Sequence, residues 1–175
     1  MRIYLTGFMG SGKSFVGRRL AADRGLPFLD LDTFIEERAG LSITEVFAAR
    51  GEAAFRSMES SALRQVSQLP MFVLATGGGT PCHDDNMAFM GSHGLTVFID
   101  PVNDILVRRL RGERAHRPLL QGTEDLARLV DTKLASRRAC YEKARFHVRQ
   151  TNPKQDVVRL IANQLQLLDH SPSHE

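Results

Sequence analysis

Cysteine is nearly absent from this chain of 175 residues, which holds only Cys82 and Cys140. Two thiols make neither a disulfide framework nor a cysteine-rich metal centre, so both read as ordinary reduced cysteines. There is no uninterrupted run of about 18 apolar residues, the length a membrane-spanning helix needs, so no membrane partner is expected. A strand-like run begins at Arg2, which leaves no room for a signal peptide ahead of it, and a cytoplasmic enzyme is expected. Internal repeats and low-complexity segments are missing. Also missing is any nucleic-acid-binding motif or aromatic-and-basic stripe. The net charge of +3 is modest, so nucleic acid is not an expected partner. The basic excess is mostly arginine, a residue suited to two-pronged capture of phosphate and carboxylate. That bias points to small anionic ligands.

What is present is more specific. Gly7-Phe8-Met9-Gly10-Ser11-Gly12-Lys13-Ser14 matches G-x-x-x-x-G-K-[ST], the phosphate-binding P-loop. The apolar run Ile3-Tyr4-Leu5 precedes it, and an amphipathic stretch over 15–22 follows. Strand, glycine-rich loop and helix is the order that the chemistry requires. The glycines let backbone amides wrap a phosphate, and the helix N-terminus adds a favourable dipole. Lys13 would reach the β- and γ-phosphates, and the Ser14 hydroxyl would bind Mg²⁺.

Strand-like runs recur at 3–6, 27–31, 71–75, 96–99 and 146–151, alternating with helical stretches, the last of them 155–168. Near-continuous apolar strands in βα units argue for a parallel sheet covered on both faces. Ligands of such sheets bind beyond the carboxyl ends of the strands, where the P-loop, Asp30, Asp32 and Gly77-Gly78-Gly79 should converge. Between the second and third strands lie three helical pieces, 32–39, 44–50 and 52–69. One helix would complete a βα unit, so the surplus is a candidate acceptor-binding subdomain. Ser42-Ile43-Thr44-Glu45 reads as a capping box that opens the middle piece. The polar stretch 112–122 reads as a mobile loop, and 169–175 as a frayed tail.

Asp30 and Asp32 close the second strand. A strand period of two places both on one face, about 7 Å apart. One carboxylate would support Mg²⁺, with Asp30 the better candidate because the third strand lacks an acidic residue. The other would orient an acceptor hydroxyl and take its proton; capping the next helix is the plainer role for Asp32. Gly77-Gly78-Gly79 permits close backbone approach to a ligand. Five arginines crowd the segment 108–118. Arg117, held ahead of Pro118, is the one read as functional, on a loop able to close over a nucleotide; Arg108, Arg111 and Arg114 read as surface.

Taken together, these residues resemble the shikimate kinase family from Arg2 to about Arg159. The P-loop follows that family's G-x-M-G-x-G-K-[ST] form. Phe28-Leu29-Asp30-Leu31-Asp32, Gly51-Glu52-Ala53-Ala54-Phe55-Arg56, Thr76-Gly77-Gly78-Gly79 and Arg117-Pro118-Leu119-Leu120 follow in order at the family spacing. The resemblance implies an α/β P-loop NTPase of the nucleoside-monophosphate-kinase-like type, a three-layer fold with a five-stranded parallel sheet. It implies one kinase domain over 1–168, with acceptor-binding helices over 32–69 and a lid over 112–122. ATP would phosphorylate the 3-hydroxyl of shikimate on the route to chorismate and the aromatic amino acids, with Mg²⁺ as cofactor.

By motif position, Lys13, Asp32 and Arg117 would be catalytic, with Asp32 binding the acceptor hydroxyls and serving as base. Gly10, Ser11, Gly12, Lys13, Ser14, Phe15 and Arg117 would hold ATP. Asp32, Arg56, Gly77, Gly78, Gly79 and Arg137 would hold shikimate, the two arginines at its carboxylate. Ser14 and Asp30 would serve the metal. Family resemblance also implies a monomer. Two departures stand out. The family's late Arg-x-Pro-x-Tyr is here Arg137-Arg138-Ala139-Cys140-Tyr141, which leaves Arg138 as a rival to Arg137. The stretch 151–155 is shorter than usual, which leaves the adenine contacts open. For Arg56 the plain alternative is a helix-surface pair with Glu52. The competing functions are a P-loop kinase for another small acceptor, such as gluconate or a nucleotide, and a non-catalytic ligand-sensing module.

Overall fold

The computed structural model describes residues 1–113 and 125–169. Five strands, β1 (Arg2–Thr6), β2 (Phe28–Asp30), β3 (Phe72–Ala75), β4 (Leu95–Pro101) and β5 (Phe146–Gln150), form one sheet in the order β2-β3-β1-β4-β5. Every pairing is parallel. Among the described residues the α-helices are α1 (Lys13–Arg24), α2 (Leu31–Ala39), α3 (Ile43–Val66), α4 (Asn86–His93), α5 (Asn103–Glu113), α6 (Leu126–Tyr141) and α7 (Val157–Asp169). A short 3-10 turn, Thr80–Cys82, follows the glycine motif.

The side-chain period of a strand sorts the core into layers. Ile3, Leu5, Val73, Val97 and Ile99 face α1 and α7, where they meet Val16, Leu20, Ile161 and Leu165. The intervening Tyr4, Phe72 and Leu74 face the other way, against Leu31, Ile35, Phe55 and Leu63 of α2 and α3. Phe98 on that same face packs with Leu106 and Leu110 of α5 and Leu134 and Tyr141 of α6. This is the three-layer parallel architecture that the alternation of strands and helices predicts. Among the described residues no helix is long and apolar enough to cross a membrane.

The three pieces expected between the second and third strands are present. Ser42 caps α3 with its hydroxyl and Glu45 closes the reciprocal bond, completing the capping box. The break expected between 50 and 52 is Gly51, whose φ of 77° and ψ of 172° interrupt an otherwise continuous α3. The last piece ends at Val66, with Ser67 as its C-cap, rather than reaching residue 69.

The second strand differs from expectation in a way that bears on function. It stops at Asp30, and the helix starts at Leu31 instead of Asp32. Asp30 is the helix cap, its side chain accepting from the Asp32 amide at 3.1 Å. The two aspartates therefore do not share a strand face. One ends a strand and the other lies in the first turn of a helix. Of the polar stretch expected at 112–122, its first two residues belong to α5 and the rest lies outside the described residues, as does the tail beyond 169.

Candidate active site

The P-loop spans the gap between β1 and α1. Gly10 and Gly12 take φ values of 74° and 91°, a left-handed conformation that side chains resist. Gly12 is the N-cap of α1 and supplies no side-chain cap, so the first amides of the helix face the loop as anion donors. Lys13 is buried, and its Nζ donates to the carbonyls of Gly7 and Phe8, 2.9 Å each. Ser14 Oγ donates to Asp30 Oδ2 at 2.6 Å. Asp30 thus serves both sides, one oxygen on the P-loop serine and the other on the first turn of α2. The Phe15 side chain is 65% exposed, so its place in the site is through the backbone of α1.

Opposite the P-loop, the glycine motif is packed too closely for side chains. A Cβ at Gly77 would lie 2.6 Å from Glu59 Oε1, 2.9 Å from Thr80 Oγ1 and 3.0 Å from Asp32 Oδ1. A Cβ at Gly79 would lie within 2.9 Å of three atoms of the Arg56 guanidinium. Gly78 is held from the other side by Arg137, whose Nη1 donates to its carbonyl at 3.3 Å, and by the Tyr141 hydroxyl, which donates to the same oxygen. The three glycines therefore form a wall between Asp32, Arg56 and Glu59 on one side and Arg137 on the other.

The surface pairing considered for Arg56 exists, at 3.2 Å to Glu52, but a tighter contact accompanies it. Arg56 Nη1 lies 2.8 Å from Glu59, whose side chain is 1% exposed. Glu59 also accepts from the Thr80 hydroxyl. Burial, then the neighbouring carboxylates of Asp30 and Glu59, push Asp32 up to about 6, while Lys13 pulls the other way.

Arg137 and Arg138 point to different places. Arg137 reaches Gly78. Arg138 is bound to buried Asp100 at 3.1 Å and to Glu142 at 3.4 Å, away from the glycine wall. Burial alone would raise Asp100. Hydrogen bonds from Arg138, Arg149 and His147 instead hold it below the usual carboxylate value.

A cavity of about 660 Å³ links the P-loop with Asp32, Gly77 and Gly78, while Arg56, Gly79 and Arg137 are not among its lining residues. It runs from Asp32, Gly77 and Gly78 across Lys13 and Ser14 to Arg109, Pro153 and Asp156. Two of its supports escaped the sequence reading. Glu59 was invisible inside an amphipathic helix, although its spacing of three from Arg56 was a usable signal. Arg109 sat among arginines read as surface, yet it donates to the carbonyls of Gly10 (3.2 Å) and Ser11 (3.1 Å) and to Gln150 (3.0 Å). Arg117 lies outside the described residues. Ser14, Asp30 and Asp32 offer hydroxyl and carboxylate oxygens beside the phosphate loop. That hard donor set fits a divalent cation that takes one or two protein ligands and completes its shell with phosphate and water.

An anion cradle at a helix N-terminus, an adjoining divalent-metal donor set and a raised aspartate in one cavity define a P-loop phosphotransferase acting on a small molecule. The comparisons narrow this class. The family model described as Shikimate kinase matches residues 9–166. A shikimate kinase of Bacteroides thetaiotaomicron is 44% identical over 148 residues, 83% of this chain and 85% of the relative. That organism's shikimate kinase crystal structure superposes with a TM-score of 0.89 at 38% identity, covering 98% of this chain and 99% of the other. The shikimate kinase of Acinetobacter baumannii, solved in complex with shikimate, gives 0.85 at 34% identity, covering 99% and 95%. The chain belongs to the shikimate kinase family, and its enzyme class is ATP-dependent kinase with a divalent metal.

Proposed function

We propose that this chain transfers the γ-phosphoryl group of ATP to the 3-hydroxyl of shikimate, a step toward chorismate and the aromatic amino acids. The observation that carries the reading is the position of Asp32. It lies in the cavity shared with the P-loop, and its carboxylate abuts the glycine wall flanked by Arg56 and Arg137.

The polyphosphate lies along the amides of Gly10, Ser11, Gly12 and the first turn of α1. Lys13 exchanges its two loop carbonyls for phosphate oxygens. Ser14 and Asp30 would hold Mg²⁺, whose charge would offset that of the phosphates. The nucleoside end then falls against Arg109 and Pro153, at the far end of the cavity. Asp32 accepts the proton of the attacking hydroxyl. With a pKa of about 6, it is ionised at neutral pH yet more basic than an ordinary aspartate.

The acceptor's carboxylate goes to Arg56 and Arg137. Arg56 Nε is buried and has no hydrogen-bond partner among the described residues, and an orphaned donor of this kind costs about 1–3 kcal/mol that a bound anion would relieve. Gly77, Gly78 and Gly79 present backbone to the ring. By family position, Arg117 closes over the phosphates on the lid at 112–122. The chain acts as a cytoplasmic monomer of one domain, 1–168, with 32–69 as the acceptor side and no nucleic-acid or membrane partner.

A coupled ADP-release assay across shikimate, gluconate and nucleoside monophosphates tests this. Turnover with shikimate alone is expected. Turnover with gluconate and none with shikimate overturns the reading, and binding of both ATP and shikimate without turnover would instead support a sensing module.

A further inference from the structure

The two cysteines are far apart in sequence and adjacent in space. Cys82 ends the 3-10 turn that follows the glycine wall, and its amide donates to the Gly79 carbonyl at 2.9 Å. Its Sγ lies 3.9 Å from the carbonyl of Arg137 on α6. Cys140 stands three residues further along that helix, on the same side by helical spacing. The two thiols are near enough to perturb each other's ionisation. Both are partly exposed. Each is tied to the acceptor wall by a short path, Cys82 through Gly79 and Cys140 through its neighbour Tyr141, which donates to Gly78.

We infer that Cys82 and Cys140 are a modification site: they form a reversible intramolecular disulfide that draws α6 against the turn after the glycine motif and weakens acceptor binding. The weakening rests on the role given to Arg137 above; the disulfide itself does not. The oxidant is a low-molecular-weight disulfide such as oxidised glutathione.

The roles of the two thiols differ. The neighbouring Cys82 thiol holds the Cys140 thiol below the usual range, with Lys143 and Arg137 adding to this against burial. The proximity of Cys140 and burial push Cys82 up. Cys140 is therefore the attacking thiolate. Its sulfur displaces one thiolate from the small disulfide and forms a mixed disulfide. Cys82, losing its proton, then attacks the Cys140 sulfur and expels the second thiolate. Two protein thiols and one small disulfide become one protein disulfide and two small thiols.

A disulfide sets its sulfurs about 2.05 Å apart, closer than two unbonded thiols approach. Closing that gap moves the Arg137 helix relative to Gly78 and Gly79, and a displacement of about 1 Å in a reactant-positioning group costs up to about 100-fold.

The test incubates the whole protein in glutathione buffers of graded redox ratio, followed by thiol titration, intact mass and shikimate KM. The expected result is loss of both thiols without a retained adduct, and a rise of about tenfold in shikimate KM, reversed by dithiothreitol. Cys82→Ser and Cys140→Ser should each keep the reduced KM in the same buffers. Persistence of both thiols, a stable glutathione adduct on either cysteine, or a disulfide that leaves KM unchanged each overturns the proposal. Arg137→Ala in reduced protein separates the two possible failures. A raised KM there beside an inert disulfide removes the switch and leaves the acceptor site standing.

Discussion

The guanidinium of Arg56 occupies the space that a side chain at Gly79 would need, with Nη1 2.5 Å and Nη2 2.8 Å from the position of a Cβ. Arg56 is not free to retreat, because Glu52 and Glu59 hold it from the helix side. Gly79→Ala should therefore displace the arginine rather than be absorbed. An overpacking cost of about 1–2 kcal/mol, taken from acceptor binding, raises shikimate KM roughly 5–30-fold and leaves the ATP KM near its original value. Steady-state kinetics against each substrate checks this, and an unchanged shikimate KM would remove Arg56 from the carboxylate site.

Lys13→Met and Asp32→Asn should each lower kcat by about 10²–10⁴-fold with the fold retained. Circular dichroism verifies the fold, and single-turnover phosphorylation reads the chemical step. Near-normal turnover in Asp32→Asn would reject its service as base.

Asp32 also carries a stability consequence. Its pKa is about 6 in the folded chain against an ordinary 3.8. Between those values the folded form binds the more proton, so this group lowers stability as pH rises through the window, and the loss persists above it. Asp32→Asn removes the loss. Its Tm should exceed that of the parent by about 6–12 °C at pH 8 and match it near pH 4. A variant less stable than the parent at pH 8 would contradict the raised value.

For activity the same group acts in the opposite direction. Shikimate kcat/KM should fall as pH drops through about 6, because protonated Asp32 cannot accept the hydroxyl proton. The acidic limb should follow a single ionisation and be absent from the residual rate of Asp32→Asn. A limb that survives in the variant belongs to another group.

Arg137 and Arg138 should separate cleanly. Arg137→Ala raises shikimate KM with little change in melting. Arg138→Ala leaves KM intact but deprives buried Asp100 of one cationic partner, a loss of about 1–3 kcal/mol seen as a lower Tm. The reverse pattern would reassign the carboxylate ligand.

The parallel sheet and the P-loop were readable in the chain because both rest on local pattern. Ile3, Leu5, Val73, Val97 and Ile99 owe their places to strand period, and Gly10 and Gly12 to backbone conformations that few residues adopt. The Gly51 break and the Ser42 capping box were visible for the same reason. What escaped depends on contacts across the fold. The motif gave the positions of Asp30 and Asp32 but not their geometry, since a cap that starts α2 one residue early separates strand from helix. Nothing in the helical pattern of 52–69 sets Glu59 apart; its partners Arg56 and Thr80 do. Nothing in the spacing of Cys82 and Cys140 announced that a turn and a helix end would bring them together. That Arg137 and not Arg138 turns toward the glycine wall depends on Asp100, which holds Arg138 from a strand far from either in sequence.

Asp30 divides its two oxygens between Ser14 and the amide of Asp32, so a single carboxylate belongs to both halves of the reaction. A cation that claims the serine hydroxyl alters the partner of the carboxylate that steadies the base. Occupancy on the nucleotide side is thereby felt by the alcohol waiting across the cleft, and by linkage the effect is returned with equal strength. Such coupling would run through one side chain and would need no movement of a domain.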